Sequence, residues 1–197
     1  EYYLYTGDEK FLKNRAYPFF KAVGTAIESL LREENGKYYL PLSSSPEIFD
    51  NEPRSYLTPN SNFDLALLIY LFKTLKKYSE ILGKDAKEYD EILAKLDDIA
   101  IDDGVIMLDK TQRLPETHRH FSHLMCLYPL HLINYDTEEH KRIYNAAKFR
   151  NARKRYVGGF FVCYGCANLR YGKARQLGVR KDLSVLQRFC VRKRLSS

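Results

Sequence analysis

Residues 116–124 concentrate side chains that can bind polar ligands or transfer protons. The stretch holds one carboxyl group, one guanidinium group and three imidazoles, contributed by Glu116, Arg119, His118, His120 and His123. An apolar run follows at once, and each polar group buried in a core would need its own hydrogen-bond partner. We therefore interpret the stretch as the lining of a polar pocket. Imidazole and guanidinium groups suit a ligand with many hydroxyl groups, such as a sugar.

A second polar cluster lies upstream, where Ser43-Ser44-Ser45-Pro46-Glu47 is followed by Asp50-Asn51. It opens a loop of residues 43–60 that is rich in serine, proline and asparagine. A loop of this length is usually functional or disordered rather than a mere connection. Its proline and aromatic residues favour an ordered loop. Together the two clusters predict one site for a hydroxyl-rich ligand.

Helices must position both clusters, because apolar residues recur at steps of three and four along most of the chain. The pattern from Phe11 to Leu31 predicts one long helix, with Asn35-Gly36 as its stop signal. Residues 38–42 are expected to form a short extended piece. Helices that alternate with long polar loops predict an all-α array of antiparallel hairpins.

The elements on either side of the two clusters carry clear boundary signals. Ser61 or Asn62 is expected to cap the helix that follows the loop. Residues 102–104, Asp-Asp-Gly, predict a turn before a short extended segment. A helix is expected to begin near His120, and Thr137 followed by two glutamates predicts the start of another.

The charge of the chain is unevenly distributed. Residues 148–197 contain fourteen Lys and Arg residues against one acid, Asp182, for a formal charge of +13, whereas the whole chain carries +7. A basic segment of this kind can bind nucleic acid or an anionic surface. No recognised nucleic-acid motif accompanies it, so a solvated face with acidic partners elsewhere is the favoured alternative.

The four cysteines are too few for a disulfide framework. Cys163 and Cys166 form a C-x-x-C pair, which can indicate zinc or redox chemistry, but no second Cys/His pair lies near them. Buried free thiols are the favoured interpretation for these two, for Cys126 and for Cys190. No apolar run approaches the roughly 20 residues of a membrane span, so no membrane partner is expected.

Several segments resemble the catalytic domain of glycoside hydrolase family 95, the inverting α-L-fucosidases and α-L-galactosidases. The first is YLYTGDEKFLKNRAYPFFK, near the start. The second is YLPLSSSPEIFDN, with SYLTPNSNFDLALLIYLF after it, and the third is ETHRHFSHLMCLYPLHLIN. The resemblance covers residues 1 to about 134 well and a later glycine-rich segment loosely. The combination of S-P-E with H-R-H-x-S-H-L is its most specific part.

The resemblance implies an α/α toroid of helical hairpins whose loops line a central sugar pocket. Residues 1–178 would form an incomplete part of it, and residues 179–197 a divergent basic tail. Glu47 matches the general acid of the family. The sugar-binding residues would be His118, Arg119, His120 and His123, and Asp64 and Asn62 would support the site. The resemblance implies a fucosylated glycan substrate, no cofactor, no metal and an extracytoplasmic location.

Alternatives remain open at these residues. Glu47 can instead be an exposed loop acid. His120 and His123 can be satisfied core residues, or together with His118 they can bind a metal, although the spacing of the three is not diagnostic. If the chain is not an enzyme, its basic C-terminal face can make it a helical interaction module for an acidic partner or nucleic acid.

The chain also departs from the family pattern. The upstream asparagine motif that helps activate water is not found, the downstream aspartate is displaced to Asp182, and tryptophan is missing. We therefore expect a fragment or divergent copy that partners the remainder of a catalytic domain. Alone, the 197-residue chain is expected to have little or no activity, because the residues that orient the water are lacking.

Overall fold

The computed structural model describes residues 2–46, 48–49, 52–115 and 120–152, with the backbone alone for residues 148–152. This part of the chain is mainly helical. Its α-helices are α1 (Tyr2–Thr6), α2 (Glu9–Phe11), α3 (Tyr17–Leu30), α4 (Asn62–Ile81), α5 (Lys87–Lys95) and α6 (Glu138–Ala152). Its strands are β1 (Arg32–Glu34), β2 (Lys37–Tyr39), β3 (Ile101–Asp102) and β4 (Val105–Ile106). Shorter helical turns are π-helical Leu12–Ala16 and 3₁₀-helical Pro53–Ser55 and Ser122–Leu124.

The long helix predicted over residues 11–31 is present, but its stop signal was misassigned. Helix α3 already ends at Leu30. Asn35 and Gly36 instead form the tight turn of the antiparallel hairpin β1–β2, with φ angles of 51° and 76°. Two successive residues with positive φ make the turn that suits a two-residue hairpin, and Asn-Gly is its preferred sequence.

The main core lies between α3, α4 and α5. Helix α4 packs against both of the other helices. Its buried stripe includes Leu65, Leu68, Phe72 and Leu75, which contact Tyr89 and other buried residues from α5. This spacing of three and four residues places one face of α4 against both neighbours. The core therefore fixes α4, whose N-terminus adjoins the loop of residues 43–60.

Helices α3 and α4 approach closely at Gly24. A Cβ atom at this position would lie 2.6 Å from Leu75 Cδ1. Glycine therefore allows the backbone of α3 to pass directly over a buried leucine of α4.

The boundary signals further along the chain have mixed outcomes. The predicted turn at residues 102–104 is confirmed as the turn of the β3–β4 hairpin. Thr137 accepts a hydrogen bond from the His140 N–H at 3.0 Å at the start of α6, as predicted. The helix expected near His120 is reduced to the single 3₁₀ turn Ser122–Leu124.

The helical class is confirmed in outline, since the described residues add only two short hairpins to the helices. The closed toroid remains a prediction. None of the described helices combines the length and apolar character needed to cross a membrane. The predicted basic tail and Cys163, Cys166 and Cys190 lie outside the described residues.

Candidate functional site

The loop of residues 43–60 is anchored to the N-terminus of α4. Ser61 caps α4, and its hydroxyl accepts a hydrogen bond from the Asp64 N–H at 3.2 Å. The Ser61 N–H donates to the Ser43 hydroxyl at 2.7 Å, and that hydroxyl donates to Asp64 Oδ2 at 2.5 Å. In a capping box the acidic side chain would accept directly from the N–H of the cap residue. Here the Ser43 hydroxyl lies between the Ser61 N–H and the Asp64 carboxylate. The helix cap therefore holds the first residue of the loop.

Asp64 is partly buried within this cap. Burial raises the pKa of its carboxyl group above the ordinary value, although hydrogen bonds from Ser43, Ser61 and the Ser44 backbone oppose the shift. Because the fold favours the protonated form, this group contributes stability at low pH that is lost as the pH rises through its raised pKa. The supporting role predicted for Asp64 remains a prediction.

Asn60 and Leu57 close the loop on itself. The Asn60 side chain accepts from the Leu40 N–H at 2.9 Å and donates to the Tyr38 carbonyl at 3.0 Å. The Leu57 N–H donates to the Ser43 carbonyl at 2.8 Å. The two ends of the loop therefore lie side by side.

Asn62, the first residue of α4, connects the helix to the second hairpin. Its side-chain amide donates to the carbonyls of Ala100 and Met107, both at 2.8 Å, and its Oδ1 accepts from the Ala100 N–H at 2.8 Å. Asn62 is fully buried. Sequence left Ser61 and Asn62 open as the helix cap, and the structure assigns that role to Ser61.

Two serines join the loop to the histidine segment. Ser45 Oγ and Ser122 Oγ are hydrogen-bonded, and both residues are buried, with 4% and 6% of their surface exposed. Along the chain, Ser45 lies two residues before Glu47, and Ser122 lies two residues after His120. The contact therefore joins one residue of the first cluster, Ser45, to one residue of the histidine segment, Ser122, 77 residues later in the sequence.

An apolar cluster lies beneath this junction. Ile48, Leu57 and Leu108 pack together and are each less than 5% exposed. Ile48 follows Glu47 directly, and Leu108 follows β4. The loop is therefore supported by both hydrogen bonds and apolar contacts.

Of the four predicted sugar-binding residues, the structure describes two. His120 is half-buried, whereas His123 lies in the 3₁₀ turn and is only 5% exposed. The backbone carbonyl of His123 accepts from the thiol of Cys126 at 3.7 Å. Burial raises the pKa of that thiol to about 12, so Cys126 is a structural residue without nucleophilic reactivity at neutral pH.

Glu47, His118 and Arg119 lie outside the described residues, so their predicted roles remain predictions. The alternative in which His118, His120 and His123 bind a metal also requires His118, so it stays open. Among the residues that the structure does describe, no three His, Cys, Asp or Glu side chains are grouped to hold a metal ion.

Surface clefts do not by themselves identify the site. A cleft of about 570 Å³ is lined by residues of the α2–α3 region together with Leu82 and Lys84, and another of about 430 Å³ lies beside Tyr2 and Phe19. Neither is lined by the loop of residues 43–60 or by the histidine segment. The candidate site is instead based on the contact between Ser45 and Ser122.

Comparison with known proteins agrees with the motifs at this junction. The model of the glycosyl hydrolase family 95 catalytic domain matches residues 1–158. The chain belongs to this family. The family 95 domain is also 29% identical over 150 residues to α-L-fucosidase 2 of Arabidopsis thaliana. That alignment covers 69% of this chain and 17% of the relative, so the chain spans about one sixth of the length of the curated relative.

Sequence analysis missed one residue of this region. Asp109 is fully buried and hydrogen-bonded to both the loop and the turn that precedes the histidine segment. Its sequence context, Leu-Asp-Lys-Thr-Gln, has the polar composition of an exposed turn. The only available signal was the Asp-x-Thr spacing, which favours a side-chain-to-backbone turn but does not reveal burial.

Proposed function

We propose that the protein carrying this family 95 domain hydrolyses terminal α-L-fucosyl or α-L-galactosyl linkages with inversion at the anomeric carbon. Membership of the family and the similarity to an α-L-fucosidase support the class of reaction. The observation that carries the assignment to this region is the buried contact between Ser45 and Ser122. It supports a shared site for Glu47 and the histidine segment. The substrate is a fucosylated oligosaccharide or glycan.

Glu47 is proposed as the general acid. Its carboxyl group donates a proton to the glycosidic oxygen as the bond between that oxygen and C1 breaks. A water molecule attacks C1 from the opposite face and loses its proton to a base. Inverting enzymes leave room for that water by separating the acid from the base by about 6.5–9.5 Å. The resemblance implies that an asparagine motif and an aspartate together activate the water. No described residue matches either of them.

His118, Arg119, His120 and His123 are proposed to bind the hydroxyl groups of the sugar. Their planar donors are suited to fixed hydroxyl directions. Because His123 is nearly enclosed, we propose that it orients its neighbours or contacts one sugar hydroxyl at the floor of the site. Asn62 and Asp64 are proposed to support the site through the contacts described above. No described residue specifically favours nucleic-acid binding, and that alternative depends on residues 148–197.

The stereochemistry of hydrolysis tests the proposal. The whole protein should convert a nitrophenyl α-L-fucoside initially into β-L-fucose, because water attacks opposite the departing oxygen. Proton NMR recorded before the sugar mutarotates measures the first anomer formed. The matching α-L-galactoside, assayed in parallel, determines the sugar preference. Initial release of α-L-fucose would contradict inversion, and no hydrolysis of either glycoside would contradict the proposed function.

A further inference from the structure

Asp109 is a buried carboxylate that accepts five hydrogen bonds. Its Oδ1 accepts from the Thr111 N–H at 2.7 Å, the Thr111 hydroxyl at 2.7 Å and the Gln112 N–H at 3.0 Å. Its Oδ2 accepts from the Gln112 side-chain amide at 2.9 Å and the Thr58 N–H at 3.1 Å. The residue has no exposed surface. All five donors are neutral, and a carboxylate is the side chain that can accept from this many donors without presenting one of its own.

The two oxygens of Asp109 have different tasks. Oδ1 organises only the tight turn of residues 109–112. Oδ2 reaches across to Thr58, which lies 51 residues earlier in the loop of residues 43–60. The hydroxyls of Thr58 and Thr111 lie 3.2 Å apart and reinforce the same connection. Asp109 therefore connects the end of the loop to the turn that leads into the histidine segment.

The connection continues through apolar contacts towards Glu47. Leu108, the residue before Asp109, packs against Leu57 and Ile48 in the cluster beneath the loop. Ile48 is the immediate neighbour of Glu47 in the chain. A shift of Asp109 would displace Leu108, which packs against Ile48, and the Thr58 backbone, which belongs to the same loop.

The carboxyl group is ionised at neutral pH despite its burial. Burial acts to raise its pKa, but the hydrogen bonds from Thr111, Gln112 and Thr58 outweigh burial and hold the pKa below the ordinary value. Because the fold favours the ionised form, the stability that this group contributes is present above the ordinary carboxyl pKa. It is lost as the pH falls through the lowered value.

We infer that Asp109 is a positioning residue that holds the loop of residues 43–60 so that Glu47 meets the leaving-group oxygen. The inference rests on the proposed function. Asp109 itself is not expected to contact the sugar. A misplacement of about 1 Å caused by a change far from the chemistry can lower a rate about 100-fold.

The variant Asp109→Asn separates the two tasks of the side chain. One amide oxygen can still serve the donors of the turn, whereas the amide NH₂ would face the Thr58 N–H and the Gln112 side-chain amide. The connection to the loop is then replaced by a repulsive contact between donors. The whole protein and the variant are assayed on a 2,4-dinitrophenyl α-L-fucoside and on an alkyl α-L-fucoside. The dinitrophenolate departs with little protonation, whereas the alkoxide requires the general acid.

We expect Asp109→Asn to lower kcat on the alkyl fucoside by about 10- to 100-fold. On the dinitrophenyl fucoside, kcat should change by less than about threefold, because that step needs little proton donation. KM should stay nearly constant on both substrates. Gln112→Leu removes one donor to Asp109 Oδ2. It should also lower the ratio of kcat on the alkyl fucoside to kcat on the dinitrophenyl fucoside, but by a smaller factor. It serves as the second test if the asparagine variant does not fold.

Phe72→Leu is the matched control for a loss of stability alone. Phe72 is fully buried in the helical core, away from the loop. It should lower the denaturation midpoint without changing the ratio of kcat values on the two fucosides. A folded Asp109→Asn or Gln112→Leu protein with the wild-type ratio would overturn the inference while leaving the proposed function intact. Wild-type protein inactive on both fucosides would overturn both.

Discussion

Replacing Glu47 with glutamine should lower kcat for an alkyl α-L-fucoside by about 10²- to 10⁴-fold, the usual contribution of general acid catalysis. Glutamine has nearly the same shape but cannot donate a proton to the glycosidic oxygen. KM should change little, since binding of the sugar is assigned to the histidine segment. Steady-state kinetics of the whole protein provides the measurement.

Glu52→Gln is the matched control for this substitution. Glu52 belongs to the same loop, is exposed, and pairs with Arg54 at 2.6 Å on the surface. Surface ion pairs contribute little to stability. This variant should retain wild-type kcat. Equal activity of Glu47→Gln and Glu52→Gln on the alkyl fucoside would remove Glu47 from the mechanism.

Replacing Asn62 with alanine should lower the free energy of unfolding by about 2–4 kcal/mol, because each unsatisfied group costs about 1–3 kcal/mol with incomplete additivity. The change leaves the Met107 carbonyl and the Ala100 N–H without the Asn62 side chain, whereas the Ala100 carbonyl still accepts from the Met107 N–H at 3.0 Å. Asn62→Asp should be at least as harmful at neutral pH, because its carboxylate would face the carbonyls of Ala100 and Met107. Urea unfolding followed by circular dichroism measures both changes.

Asn134→Ala is the control for the asparagine substitution. Asn134 is half-buried, and its side chain donates to the His131 carbonyl within its own turn at 3.2 Å. Loss of one such hydrogen bond should cost only about 0.5–1.5 kcal/mol. Similar losses for Asn62→Ala and Asn134→Ala would contradict the central role given to Asn62.

Apolar spacing predicted the long helices because it reports burial over many residues, whereas a turn signal depends on one or two residues. The Asn-Gly pair at residues 35–36 illustrates the limit. Asn and Gly both tolerate positive φ, so the same pair can end a helix or form a hairpin turn. The pairing of Arg32–Glu34 with Lys37–Tyr39 decided for the hairpin. An extended piece was predicted from residue 38 onwards, but Arg32–Glu34 has no marked strand character.

The site was predictable to the extent that its chemistry lies in local motifs. The two polar clusters were identified from residue types, and the contact of Ser45 with Ser122 joins them. The role of these serines was not predictable, because serine in a polar loop is equally suited to ligand binding and to internal hydrogen bonding. Asp109 was missed for a related reason, since its partner Thr58 is distant in sequence and only the folded chain buries it.

The contact between Ser45 and Ser122 is the connection on which a shared site depends. The double variant Ser45→Cys with Ser122→Cys, in a background with Cys163, Cys166 and Cys190 changed to serine, tests this contact. A hydrogen bond between two serine hydroxyls brings their Cβ atoms close, and a disulfide requires a Cβ–Cβ separation of about 3.5–4.5 Å. Buried Cys126, with its raised pKa, should not compete.

Mild oxidation of the folded double variant, followed by non-reducing peptide mass mapping, is the measurement. We predict a disulfide between positions 45 and 122 in nearly all folded molecules, and a mixture of pairings among positions 45, 122 and 126 when the protein is oxidised after unfolding in denaturant at low concentration. Two free thiols at these positions in the folded, oxidised protein would contradict the account.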